Sequence, residues 1–104
     1  MYAVLRRYNV PKGNVEEIGQ RINQGFVPIV SKTPGFIAYF TINPGDGTFV
    51  SVSVFEDKAG ADESTRAASE WVRANLTHFI TTAPVITAGE VMAHAGVGSE
   101  AGTR

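Results

Sequence analysis

The sequence predicts an α+β domain in which a four-stranded antiparallel sheet carries two helices, in the order β-α-β-β-α-β. Three observations predict it. Two charge-free strand patterns, Phe36–Ile42 and Phe49–Phe55, flank the turn residues Asn43-Pro44-Gly45-Asp46-Gly47. One segment on each side of this hairpin repeats apolar residues at three- and four-residue spacing. A further strand pattern stands at each end of that series.

Tyr2 to Tyr8 reads as the first strand, ended by Asn9-Val10-Pro11-Lys12-Gly13. The first helix starts at Asn14 as its cap, with Glu17 three residues on as the capping-box acid. Val15, Ile18, Ile22, Phe26 and Ile29 make its apolar stripe, which Gly25 and Pro28 interrupt. Proline removes a backbone donor and clashes with the preceding turn, so a kink near Gly25 or an early end is expected. Thr33-Pro34-Gly35 closes the segment.

In the hairpin, Phe36–Ile42 is apolar at odd and even positions alike. The second run puts Val50, Val52 and Val54 on one face, and Phe49, Ser51, Ser53 and Phe55 on the other. A solvated sheet face alternates with charge, and neither run carries any. Both faces therefore want cover. The helices can cover one, and the other is expected to pack on a second copy of the chain, giving a homodimer.

Asp57 caps a second helix running to about Phe79, with Ala68, Trp71, Val72, Asn75, Leu76 and Phe79 as its buried stripe. Glu63–Arg66 and Glu70–Arg73 pair on its solvated side. Thr81-Thr82-Ala83-Pro84 breaks it, and Val85 to His94 reads as the last strand. The order is the ferredoxin-like split unit, one domain over residues 1–94, and residues 95–104 are expected to form a disordered tail.

Composition narrows the classes. A chain of 104 residues buries roughly two-thirds of its unfolded surface, enough for one core. With 43% hydrophobic and 18% charged residues it is neither disordered nor membrane-spanning, since no apolar run approaches the ~20 residues a bilayer needs. A net charge of −1 gives no attraction for nucleic acid or an anionic membrane. The absence of cysteine removes disulfides and thiolate catalysis. The N-terminal charges, Arg6 and Arg7, follow the apolar run instead of preceding it, so no signal peptide is read and a cytoplasmic location is expected.

Few residues carry candidate chemistry. Arg6 and Arg7 point to opposite faces of a central strand, so at least one meets the helices or the partner. A salt bridge to Glu90 would explain a buried guanidinium, and the alternative is a cation that orients an acidic or enolic substrate. Trp71 is either core or one wall of a cavity between helix and sheet that it shares with Asn75 and His78. Such a cavity would suit a flat phenolic or polyketide-like ligand. Tyr39 closes a buried hydrogen bond or moves a proton. The serines lack a nucleophile elbow. His78 and His94 lack metal-ligand spacing, so no metal site is expected. Gly45-Asp46-Gly47 precedes a strand and is a turn, not a phosphate loop. The third strand has no RNA-binding aromatic signature.

Arg6-Arg7-Tyr8, Pro11-Lys12-Gly13, Gly35-Phe36-Ile37-Ala38-Tyr39 and Phe55-Glu56-Asp57 together resemble the antibiotic biosynthesis monooxygenase-type domains, the dimeric α+β barrel group. The resemblance covers Met1 to His94, with Phe55 where the family often has tryptophan. It implies a homodimer and either a cofactor-independent monooxygenase for an aromatic or enolisable small molecule, or a non-catalytic dimeric binding module. Arg6, His78 and Tyr39 would be the catalytic groups of the enzyme, with Trp71 and Asn75 against the ligand. In the haem-degrading branch an Asn lies on the first strand, with a Trp and a His on the second helix. Here Arg6 stands on that strand, and Trp71 and His78 fall at another spacing, which argues against haem.

Overall fold

The computed structural model describes residues 1–11 and 14–96. Strands β1 (Tyr2–Asn9), β2 (Phe36–Ile42), β3 (Thr48–Phe55) and β4 (Val85–Glu90) form one sheet in the order β2-β3-β1-β4. Every neighbouring pair is antiparallel, which is the ferredoxin-like arrangement. The hairpin turns where Gly45 and Gly47 take φ of 84° and 82°, a region closed to most side chains. The last strand stops at Glu90, short of His94, because its partner runs out: Tyr2 opposes Glu90, and the Val91 N–H takes the Met1 carbonyl as the final rung. Lys12, Gly13 and the tail from residue 97 lie outside the described residues.

The first helical rod is α1 (Val15–Arg21), a π-helical turn (Ile22–Phe26) and α2 (Val27–Val30) in succession. No capping box forms. The Asn14 side chain makes no cap hydrogen bond, and Glu17 pairs forward with Arg21 at 3.0 Å. The expected irregularity is the π turn itself. A proline ring clashes with the carbonyl four residues before it in a regular α-helix. The wider turn just ahead of Pro28 relieves that clash. It also changes which residues face inward. Residues four apart overshoot an α-helical turn by about 40°. The π turn takes back that drift, so Ile18, Ile22, Phe26 and Val30 form the buried line and Ile29 faces outward.

Helix α3 (Lys58–Asn75) begins where the Asp57 side chain accepts from the Gly60 N–H at 3.1 Å. Its inward line, Gly60, Ala61, Ser64 and Ala68, is built of small residues, so the helix lies close on the sheet. A Cβ at Gly60 would come within 2.7 Å of the Pro34 carbonyl. The helix ends at Asn75, a turn before Phe79, because Leu76 and Ile80 both fold into the core. Asn75 thereby leaves the buried stripe and is exposed, its amide donating to the Trp71 carbonyl at 2.9 Å. On the solvated side Arg66 pairs with both Glu63 and Glu70, and Arg73 approaches Ser69 instead of Glu70.

The helices cover one face of the sheet. Val4, Tyr8, Phe49 and Phe55 on that face join Ile18, Ile22, Phe26, Val30, Ala61, Ala68 and Leu76 in the core. The opposite face carries Leu5, Phe40, Ile42, Val50, Val52 and Val54, and no element among the described residues lies over it. Phe40 is 51% exposed there. No helix among the described residues is long and apolar enough to cross a membrane.

Candidate functional site

Strand alternation turns Arg6 toward the helices, in register with Ser51 on one side and Ile86 on the other. It is 1% exposed. Its Nη1 donates to Ser53 Oγ at 3.2 Å, and its Nη2 to Ser64 Oγ at 3.0 Å and Thr65 Oγ1 at 2.9 Å. The Ser64 and Thr65 hydroxyls donate in turn to the Ala61 carbonyl, which leaves their lone pairs for the guanidinium. Arg6 Nε has no partner. The expected bridge to Glu90 is absent. That carboxylate sits opposite Tyr2, four residues or about 13 Å along the strand from Ile86. The ion pairs among the described residues all lie on exposed helix surface. The buried charge is therefore hydrogen-bonded by neutral groups but not neutralised. Burial pushes the guanidinium below its usual pKa, while Tyr8 and Tyr39 pull it back up.

Two hollows flank this residue, with Tyr8 and Val72 in the wall of both. On the β2 side is an aromatic crevice, where Trp71 meets Tyr39, Phe26 and Phe49 over Ser51. The Phe26 ring lies 5.6 Å from Tyr39 and 5.9 Å from Trp71. The indole passes over Gly25, where a Cβ would meet it at 2.7 Å, so the glycine that interrupts the first helix is the seat of Trp71. The crevice has a volume of about 10 Å³, room for one water. Burial pushes the Tyr39 phenol up, against the opposing pulls of Thr41, Arg6 and Ser51, and burial likewise raises Tyr8 against Arg6. Both phenols are protonated at neutral pH and keep an O–H to donate.

On the β4 side is a wider cleft of about 480 Å³ between α3, the 76–84 segment and β4. The helix layer stops short of this edge strand, which leaves Ile86 48% exposed on the covered face. Arg6 lies at the cleft floor and Arg73 on its wall, with Ile80, Pro84 and Ile86 as the apolar part.

Of the residues singled out from sequence, Trp71 and Tyr39 come together in the crevice, and Arg6 lies on the other side of Tyr8, in the cleft. Asn75 and His78 line neither hollow and are exposed, His78 on the turn after α3. Sequence reasoning passed over Tyr8, Ser64, Thr65 and Arg73. A hint was present for Ser64, which is four residues before Ala68 and so on the same helix face. Among the described residues no group of three or more His, Asp or Glu could hold a metal ion.

A family model described as antibiotic biosynthesis monooxygenase matches residues 1–74. Among solved structures, a protein of unknown function from Nitrosomonas europaea is similar at TM-score 0.75 and 23% identity, over 90% of this chain and 91% of that one. A monooxygenase from Streptomyces coelicolor, solved in complex with the ligand nanaomycin D, is similar at TM-score 0.73 and 14% identity, over 90% and 89%. A haem degrader from Mycobacterium tuberculosis, solved with two haems bound in its active site, is similar at 0.71 and 18%, over 92% and 100%. At these identities the likeness is one of fold. No curated protein matches the chain.

Proposed function

Because the chain belongs to the antibiotic biosynthesis monooxygenase family, we propose that it is a homodimeric, cytoplasmic monooxygenase that oxidises an enolisable aromatic compound without a cofactor. The observation that carries this reading is Arg6, a guanidinium buried at the floor of a 480 Å³ cleft and paired with no carboxylate among the described residues. A buried cation in that state favours a substrate that becomes anionic. In the proposed reaction the substrate ionises beside Arg6, its proton passing to solvent at the cleft mouth, and its electron-rich carbon then reduces dioxygen. An activated CH2 becomes C=O, and the second oxygen atom leaves as water. The fold supplies orientation, charge stabilisation and exclusion of bulk water. The Tyr8 phenol, held protonated by burial in the cleft wall, is suited to hydrogen-bond a developing oxyanion. Neither His78 nor His94 lines the crevice or the cleft, so neither hollow offers a histidine to ligate a haem iron.

The homodimer is supported by the uncovered apolar face of the sheet, which a monomer would leave in water. A second reading, a dimeric binding module without turnover, is favoured by one observation. His78, the proton acceptor expected from sequence, is exposed outside both hollows. A thermal-shift screen of phenols, quinols and anthrones, followed by oxygen uptake on each hit, separates the two. Oxygen consumption lost in Arg6→Met supports the oxygenase, and stabilisation without consumption supports the module.

A further inference from the structure

The cleft between α3 and β4 has a charge pattern that oxygen chemistry alone does not call for. The chain as a whole has one more acidic than basic residue, yet the cleft is lined by two arginines and no carboxylate. The remaining polar lining is hydroxyl, from Tyr8, Thr65, Ser69, Thr77, Thr81 and Thr82. Arg6 at the floor keeps its charge unneutralised and its Nε–H unspent. Arg73 on the wall makes a single 3.4 Å contact to Ser69 and no ion pair among the described residues.

We propose that this cleft takes a small organic anion, with its carboxylate drawn to Arg6 and Arg73 and its apolar body on Ile80, Ala83, Pro84 and Ile86. The apolar lining argues for an organic acid over an inorganic ion, since Ile86 is left 48% exposed on the helix side of the sheet. A volume of about 480 Å³ holds a fused two- or three-ring acid. An exposed rim arginine adds attraction that salt weakens. A buried one adds attraction that salt hardly touches, because little solvent lies between it and the ligand. The selectivity has these two parts in series: Arg73 gathers the acid, and Arg6 discriminates it from a neutral isostere. The inference rests on the oxygenase reading only for the location of the ligand and needs no turnover.

The test is calorimetric binding of 2-naphthoate and of 2-naphthamide, which share a shape and differ in charge and cannot enolise. The expected result is naphthoate bound at least ~10-fold more tightly than the amide. Arg73→Ala should weaken naphthoate by about 3- to 5-fold and reduce its salt dependence, and Arg6→Met should erase the preference for the acid. Equal affinity for acid and amide, no binding of the acid at about 10 mM, or a preference that survives in both variants would each overturn the proposal. Should Arg6→Met lose its circular-dichroism spectrum, the acid–amide ratio of the wild type and the Arg73→Ala response decide. An oxygenase for neutral phenols would fail this test and still consume oxygen, so the two readings fall separately.

Discussion

On the covered face of the sheet Arg6, Ser51 and Ser53 are at most 3% exposed, beneath helices that shut them from water. On the open face Leu5, Val50, Val52, Val54, Phe40 and Ile42 form an apolar surface that none of the described residues cover. A charge and hydroxyls thus sit on the covered face among Val4, Tyr8, Phe49 and Phe55, where burial by the chain's own elements would select apolar groups. An apolar face in water indicates a partner of like kind. A charge and hydroxyls under a helix indicate a site, because a core built for stability alone would place methyl groups there. The same strands serve both purposes, since alternation lets β1 send Arg6 inward and Leu5 and Arg7 outward.

The largest effect is expected on the open face. Val52→Lys places a charge at the centre of the valine row and should weaken self-association at least ~100-fold. Light scattering during size exclusion would then move from twice the 11.1 kDa chain mass to the chain mass itself. A wild type that already runs as a monomer at micromolar concentration would break the comparison at its root. The covered face comes next. Arg6→Ala removes the guanidinium and opens a void, and should cost about 3 kcal/mol in denaturant unfolding. Arg6→Met fills the space without charge and should cost less than about 1 kcal/mol or stabilise. Equal losses in the two would show that Arg6 is kept for stability and not for a ligand.

Trp71 sharpens the same point. Alanine in place of glycine normally gains roughly 0.5–1 kcal/mol in a helix. Gly19→Ala, with open space around it, should show that gain. Gly25→Ala should reverse the sign and cost about 1–2 kcal/mol, with a red-shifted Trp71 emission as the indole is displaced. The smallest effect is one of pH. Tyr8 and Tyr39 bind their protons more tightly folded than unfolded, so their contribution is complete below the ordinary phenol value of 10.0. It is lost as pH rises from there through the raised folded values, because the unfolded chain gives up the protons first. Tyr39→Phe should flatten that alkaline decline in a pH series of unfolding curves, and an unchanged slope would place the phenol in water instead.

The division of the sheet into two faces was legible in the sequence. Phe49-Val50-Ser51-Val52-Ser53-Val54-Phe55 assigns itself once the period of two is applied, and the element order follows from it. The site was legible only in part. Arg6 stood out as a charge on a central strand, but its partners Ser64 and Thr65 lie 58 and 59 residues away, where no local pattern links them to it. Asn75 and His78 stand outside both hollows for a shared reason. Both readings assumed that α3 continues to Phe79, whereas burial of Leu76 and Ile80 ends it at Asn75. Ile29 failed for a different reason. A stripe drawn at 3.6 residues per turn cannot see a π turn coming.

That π turn has a further consequence for how the chain tolerates insertion and deletion. A residue removed from Ile22–Phe26 need not shorten the rod's reach toward β2 by unravelling it, because the i→i+5 ring can relax to an ordinary α-helical one. Phase is kept as well. An i→i+5 turn holds one residue more than an α-helical turn, so losing that residue leaves Val30 on the core side. The same deletion in α1 has no extra residue to absorb it and would rotate everything after it by about 100°, the angle one residue subtends in an α-helix. The π turn acts as slack in the shaft, and the aromatic crevice, seated on Gly25, is the part that would register a deletion made elsewhere in the rod.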